Sequence, residues 1–386
     1  MIYRDQLLLH PPIFLGIISM SLNFRFAVVS DLHIALPHTI SDHPSRFHLV
    51  EVSIPALEIV LENLEKLDLD FLLLPGDLTQ DGEPDNHAWL AKRLLKLPFP
   101  VYVVPGNHDV LSLVSTGQNI GLKDFPYYYQ QFGYKNPEQL YYTCEILPGV
   151  RLIGLNSNQF DDQGKQIGCL DEQQLAWLRQ VLADIDDNEL VLVMVHHNVV
   201  EHLPEQSQHQ LGRRYMLKNA PLLLQILRDS GVNLVFTGHL HVQDIACDRN
   251  VFDITTGSLV SYPHPYRILD FRTDKEGRKS LQIDSPRVES VPNYPMLSQK
   301  SREWMGDRSV PFMLKLLTDA PLNLPIAEAE KLVPSLRYFW ADIANGDALF
   351  DFSQFPPAVK RYFESFGAIA TDGTPKLIDN STILFI

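Results

Sequence analysis

The chain has 386 residues, 45% of them hydrophobic, so it can bury a full core and is not a disordered chain. Its 47 acidic and 32 basic residues give a formal charge of −15, which argues against a nucleic-acid backbone as the main partner. Three cysteines without CxxC spacing, Cys144, Cys169 and Cys247, argue against a disulfide framework and point to reduced thiols in the cytoplasm.

Residues 1–22 read as a leader, expected to be poorly ordered, with Met20 a candidate start. Their apolar runs are interrupted by His10-Pro11-Pro12 and are too short to span a bilayer. Phe24–Ser30 then reads as a buried strand that runs into Asp31-Leu32-His33. Ile54, Leu57, Leu61, Leu64 and Leu67 fall at helical spacing. Asp70–Pro75 is a second strand and delivers Gly76-Asp77; a helix around Trp89–Leu95 follows. Val101–Pro105 is the third strand, and a Pro-Gly turn presents Asn107, His108 and Asp109 directly after it. This β-α-β-α-β order predicts a parallel sheet with right-handed crossovers.

Gly121–Glu138 is aromatic and irregular. Tyr141–Ile146 and Val150–Leu155 read as strands paired across Pro148-Gly149, and Glu172–Ile185 as a helix. Leu190–Val195 is another buried strand, ending in His196-His197. A helix over Leu217–Asp229 precedes the strand Val232–Thr237, which ends in Gly238-His239-Leu240-His241. Shorter strands are expected at Val242–Asp248, Val251–Thr255 and Tyr266–Phe271, so two packed sheets with helices outside are predicted. Prolines punctuate helical stretches beyond Pro292, notably Ile326–Ile343 and Pro357–Phe366. The chain therefore divides into the leader, a main domain over 23–288 and a small helical appendix over 289–386.

Five strand-like runs end in Asp or His, and one sheet edge brings such ends together. Carboxylate oxygen and neutral imidazole nitrogen are the ligands that zinc, manganese and iron prefer. Asp31, His33, Asp77, Asn107, His108, Asp109, His196, His239 and His241 stand at these ends, and seven such groups are enough for two ions if one carboxylate bridges. The Asp-x-His and His-x-His pairs are expected on extended backbone, which turns residues i and i+2 to one side.

At these residues the sequence resembles the calcineurin-like metallophosphoesterase superfamily: DLH at 31–33, GD at 76–77, GNHD at 106–109, VHH at 195–197 and GHLH at 238–241, in the family's order. The resemblance covers roughly residues 24–275 and implies a four-layer αββα sandwich of two mixed sheets. It implies one metal on Asp31, His33, Asp77 and His241, and a second on Asp77, Asn107, His196 and His239, Asp77 bridging. A hydroxide bridging the two ions would attack the phosphorus in line. His108 would act as general acid or leaving-group stabiliser, with Asp109 orienting and charging its imidazole.

The bacterial class III cyclic-nucleotide phosphodiesterases look nearest, on GDLTQDG at 76–82, GNHD, ILRDSGVNLVFTGHLH at 226–241 and TTGSLVSYPHPYRILDF at 255–271. One departure is Asn198-Val199-Val200, where many members carry prolines after the paired histidines. The expected substrate is a small phosphodiester such as a 3′,5′-cyclic nucleotide. The alternatives are a phosphomonoesterase or protein phosphatase on the same site and, remotely, a non-catalytic scaffold. His43, His48, His87, His202, His209 and His264 read as solvated or capping residues, and His197 is not expected to be a ligand, a role beside the ligands or toward substrate being the minority reading. The appendix aromatics are expected to pack on the main domain; covering the site, a contact between copies and docking on a membrane are the roles open to the appendix.

Overall fold

The computed structural model describes residues 21–41, 46–186, 188–370 and 372–386. The leader reading falls outside these residues except at Ser21 and Leu22. Leu22 is buried against the end of the first sheet, where its carbonyl accepts from Thr273 N at 2.9 Å.

Two six-stranded sheets form the centre. The first runs Ser381–Phe385, Lys279–Asp284, Arg267–Thr273, Asn23–Val28, Phe71–Leu74, Val101–Val103. The last three of these strands are parallel and the others antiparallel. The second runs Asp244–Asp248, Val251–Thr255, Leu234–Thr237, Leu190–Met194, Val150–Gly154, Tyr142–Leu147, with four parallel strands in the middle.

Period-2 alternation explains the layering. On Leu190–Met194, Leu190, Leu192 and Met194 join the core shared with the first sheet, where the Phe26 and Phe236 rings meet edge-on at 5.5 Å. Val191, Val193 and the following Val195 face the other way, onto the helices Glu172–Ala183 and Ala220–Asp229. The helices Ser53–Leu64 and Pro84–Leu94 cover the outer face of the first sheet. These are the four layers expected. Strands open to neither face of water read as continuous apolar runs, which is why the sequence shows them clearly.

Beyond residue 296 the helices Leu297–Arg308, Val310–Thr318, Ile326–Leu332, Phe339–Ala344 and Pro357–Glu364 build a third apolar cluster. The stretch read as one helix over 326–343 is broken by a tight turn at Val333–Leu336, where Pro334 cannot donate to a helical ladder. The cluster takes in Leu240 and Val242 of the main domain. The chain then ends as a strand, Ser381–Phe385, at the edge of the first sheet, an element absent from the helical reading of this region. Among the described residues no helix is long and apolar enough to cross a membrane.

Candidate metal and phosphoester site

The strand ends of both sheets meet at one place. Asp31 and His33 follow the strand Asn23–Val28, Asp77 follows Phe71–Leu74, and Asn107 and His108 follow Val101–Val103. His196 comes from the second sheet after Leu190–Met194, and His239 and His241 after Leu234–Thr237. Ligand atoms of Asp31, His33, Asp77 and His241 lie within 4.8 Å of one another, as do those of Asp77, His196 and His239. Asp77 belongs to both groups. Its Oδ2 stands 3.3 Å from His196 Nε2 and 3.8 Å from His33 Nε2, while Oδ1 accepts from the His108 backbone N–H at 2.8 Å.

The backbone that presents these groups is not the extended chain expected from the i, i+2 spacing. Asp31, His33, Asp77, His239 and His241 all have positive φ, between 43° and 67°. Non-glycine residues pay about 1–3 kcal/mol for sparsely populated backbone regions, which persist where surrounding structure enforces them. Here each turns a side chain off the end of its strand into the shared space. Two glycines make room for that crowding. A Cβ on Gly106 would stand 2.2 Å from Asp77 Oδ1, and one on Gly238 would stand 2.5 Å from Asp31 Oδ2.

The donor set suits a cation. His196 Nδ1 lies 2.8 Å from the Pro75 carbonyl, which can only accept, so Nδ1 carries the hydrogen. Nε2 then points a lone pair at Asp77 Oδ2 and at Asn107 Oδ1, 3.1 Å away. His239 Nε2 is held by the Arg214 carbonyl at 3.2 Å, which leaves its Nδ1 lone pair for the site. His241 Nε2 faces Asp31 Oδ1 at 3.1 Å and His33 Nε2 at 3.3 Å. Acceptors facing acceptors need a proton or a metal between them. With only a proton to meet it, burial opposes charge on His196, but Asp77 and Asp31 outweigh burial and raise the imidazole to about 9. Burial alone would raise the Asp77 carboxyl; His196, His108 and His33 instead hold it well below its usual range.

His108 lies on the rim. Its Nδ1 is 2.7 Å from the Gln80 carbonyl, and its Nε2 has no protein partner among the described residues. Burial disfavours its charge, yet Asp77, Asp81 and the Gln80 carbonyl raise it to about 9. The expected role of Asp109 needs correction, because its carboxylate does not reach the His108 imidazole. It accepts from the backbone of Leu78 (3.1 Å), Thr79 (2.8 Å) and Gly106 (2.8 Å), and from the Thr79 hydroxyl at 3.1 Å. Asp109 therefore ties the GNHD loop to the loop that carries Asp77. The carboxylate nearest His108 Nδ1 is Asp81, at 3.8 Å.

Residues 24–243 match the family model for calcineurin-like phosphoesterases. The chain belongs to the calcineurin-like phosphoesterase family. The sequence is similar to a probable glycerophosphodiester phosphodiesterase, GpdQ, of Arcobacter nitrofigilis, 27% identical over 57% of this chain and 72% of the relative. A probable cyclic nucleotide phosphodiesterase of Synechococcus sp. is 28% identical over 57% of this chain and 74% of its own. The 3′,5′-cyclic adenosine monophosphate phosphodiesterase CpdA of Escherichia coli is 26% identical over 47% and 58%. A dimetal phosphatase from Danio rerio shares the fold, with a TM-score of 0.51 and 17% identity over 68% of this chain and 96% of that one. This calcineurin-like phosphoesterase is thus a hydrolase of a metal-using family.

A cavity of about 1350 Å³ opens over the family site. Arg46, Lys165, Arg213, Arg214 and Lys218 line it, a local excess of cations in an acidic chain. Phe312 and Trp340, from the C-terminal helices, form part of its wall. Leu240, between His239 and His241, is 1% exposed inside the C-terminal cluster. Burying such a side chain contributes roughly 1.5–3 kcal/mol, so the C-terminal region anchors the His-x-His loop.

Several participants were not read from sequence. The hairpin Asn158–Phe160 with Gln166–Gly168 braces the GNHD loop: Asn158 Nδ2 donates to Gly106 O at 3.1 Å, and Gln166 Nε2 to Asn107 O at 2.6 Å. No periodic pattern announces a three-residue strand. Of the histidines read as solvated or capping, His209 does cap a short helix, whereas His87, His202 and His264 are buried; His43 lies outside the described residues. His48 is the one that reaches the site, its ring stacked on His33 at 4.4 Å. His197 is buried beside the ligands, its Nδ1 2.8 Å from Ser157 Oγ and its ring 4.4 Å from that of His239; burial lowers it to about 3. The missing prolines after His197 have a physical counterpart: Val199 and Val200 donate their backbone N–H groups to Asp253 Oδ2 at 2.6 and 3.0 Å, which proline cannot do.

Proposed function

We propose that this protein is a metal-dependent phosphodiesterase acting on small diesters, 3′,5′-cyclic nucleotides in particular. The observation that carries the reading is the placement of Asp77 Oδ2 between two donor groups, under a cation-lined cavity with His108 at its rim. The relatives named as phosphodiesterases support the diester class. Asp31, His33, Asp77 and His241 would hold one divalent ion and Asp77, Asn107, His196 and His239 the other, and the pair when bound supplies Lewis acidity at the phosphoryl group.

The chain's own groups do the rest. The Gln80 carbonyl secures His108 Nδ1–H, so when the ring is protonated at Nε2 as well, that N–H faces the leaving oxygen and passes its proton there as a water oxygen bonds to phosphorus and the ester P–O bond breaks. Arg46, Arg214 and Lys218 on the cavity wall meet the anionic substrate. Asp109 keeps the GNHD and Asp77 loops in register, so His108 and the donor groups hold one geometry.

The test is turnover of 3′,5′-cyclic AMP by metal-stripped protein resupplied with manganese, beside a phosphomonoester of similar size, with Asp77→Asn as control. Metal-dependent cleavage of the cyclic diester, lost in the control, is the expected result. Cleavage of the monoester alone would replace this reading by a phosphomonoesterase on the same residues.

A further inference from the structure

We infer that His48 is an additional protein ligand for the metal position built by His33 and His241, one that the family's motifs do not assign. The inference rests on the metal-dependent reading above. Three observations carry it.

First, His33, His48 and His241 each place one nitrogen within 4.8 Å of the others, a metal-sized triad that overlaps the Asp31–His33–Asp77–His241 group. The His48 ring stacks on His33, 19° from parallel, and lies 5.8 Å from the His241 ring, so it turns off this stack to share an ion with His33.

Second, the tautomer is set. His48 Nε2 is 3.0 Å from Gln80 Oε1, while Gln80 Nε2 faces Asp81 Oδ1 at 3.5 Å, which fixes the end of the amide that bears oxygen. An amide oxygen only accepts, so His48 Nε2 carries the hydrogen and Nδ1 keeps its lone pair for a cation. Gln80 serves His108 through its backbone carbonyl as well, so one residue orients two imidazoles on the same wall.

Third, the segment that delivers His48 is held from two sides. Leu49 N donates to Val260 O at 2.8 Å, and Trp304 Nε1, on the helix Leu297–Arg308, donates to Arg46 O at 3.3 Å. A solvated histidine has no need of such support.

The chemical consequence is a nitrogen-rich position. A third imidazole beside His33 and His241 favours borderline transition ions such as cobalt, zinc and iron over magnesium or calcium. The second position, with Asp77, Asn107, His196 and His239, lacks this addition and keeps a larger oxygen share.

The experiment is a cobalt(II) titration of the metal-stripped full-length chain, followed by calorimetry and visible absorption, on the wild type, His48→Ala and His48→Gln. The glutamine variant preserves bulk and polarity, so it carries the comparison if the alanine variant fails to fold. Two bound cobalt ions in the wild type are expected. In the variants, one of the two should bind ~10-fold or more weakly, with a changed visible band and one hyperfine-shifted imidazole N–H resonance lost. Free imidazole added to His48→Ala should restore the band. Unchanged affinities and spectra in both variants would overturn the assignment while leaving the metal reading intact. A wild type that takes up no cobalt would overturn the metal reading itself.

Discussion

Two clusters of histidine and aspartate flank the paired strands Leu234–Thr237 and Val251–Thr255, and they are built for opposite ends. In one, His33, His196, His239, His241, Asp31 and Asp77 turn acceptors toward one another and open on a large cavity. In the other, His202 sits between Asp244 Oδ2 at 2.6 Å and Asp253 Oδ2 at 3.3 Å, with the His202 and Asp253 side chains fully buried. Asp253 is satisfied by protein: Val199 N and Val200 N reach one oxygen, and the Thr237 hydroxyl reaches the other at 2.6 Å. The residue types are the same. What differs is who supplies the positive charge. In the second cluster the His202 proton and backbone donors supply it, so the group is a closed ion pair; in the first the His108 and His239 backbone N–H groups reach Asp77 and Asp31, and the facing imidazole and carboxylate acceptors still need a proton or a metal ion between them.

The comparison breaks most sharply at Asp77. Asp77→Asn removes the oxygen common to both donor groups and should cut turnover by ~10³-fold or more, with loss of bound metal measured by elemental analysis. If the second cluster is structural, Asp253→Asn should act on folding instead. Breaking a buried pair costs roughly 3–5 kcal/mol, read as a fall in the urea midpoint, with metal content of the folded protein unchanged.

The same cluster makes a pH prediction. Burial opposes charge on His202, but Asp253 and Asp244 outweigh it and raise the imidazole from 6.5 to about 10. A folded-state value above the unfolded one means that stability from this pair is fully present below about pH 6.5 and is lost as pH rises toward 10. Urea midpoints should fall over that alkaline window in the wild type, and the fall should be flatter in His202→Ala. A wild type as steep as the variant would remove His202 from the argument.

At the site rim, the leaving-group role proposed for His108 predicts that His108→Ala lowers turnover by ~10²-fold with two metal ions still bound. Equal loss of metal and activity would make it part of the ligand set. The smallest effect belongs to an exposed pair of the same residue types. His38 lies 3.1 Å from Asp85, with side chains 63% and 72% exposed, and His38→Ala should move stability by less than ~0.5 kcal/mol.

Much of the architecture is readable along the chain. Leu190–Val195 is apolar throughout, and Phe24–Ser30 is interrupted only by Arg25 before its final serine, because both faces of each sheet are covered. Short elements are not readable in the same way. The hairpin that braces the GNHD loop has three-residue strands, and Ser381–Phe385 is an edge strand with one face half open, so neither leaves a long pattern.

At the site, sequence supplied the seven donor residues as candidates, since each follows a strand in a recognisable order. It could not supply their backbone. Positive φ at Asp31, His33, Asp77, His239 and His241 is enforced by neighbours far away in the chain, such as the His239 N–H on Asp31 Oδ1 at 3.1 Å. Nor could it separate His48 from His202 or His87, since each of the three has both polar and apolar neighbours in sequence. One stacks on His33, one joins an ion pair, and one packs under Tyr129 with its Nδ1 2.9 Å from the phenol oxygen. Composition, strand order and the residues at strand ends were thus determined by the sequence alone, because they depend on local pattern. Which imidazoles keep a lone pair for a cation, and which spend it on the protein, was decided only by tertiary structure, because a hydrogen-bond partner is chosen in space.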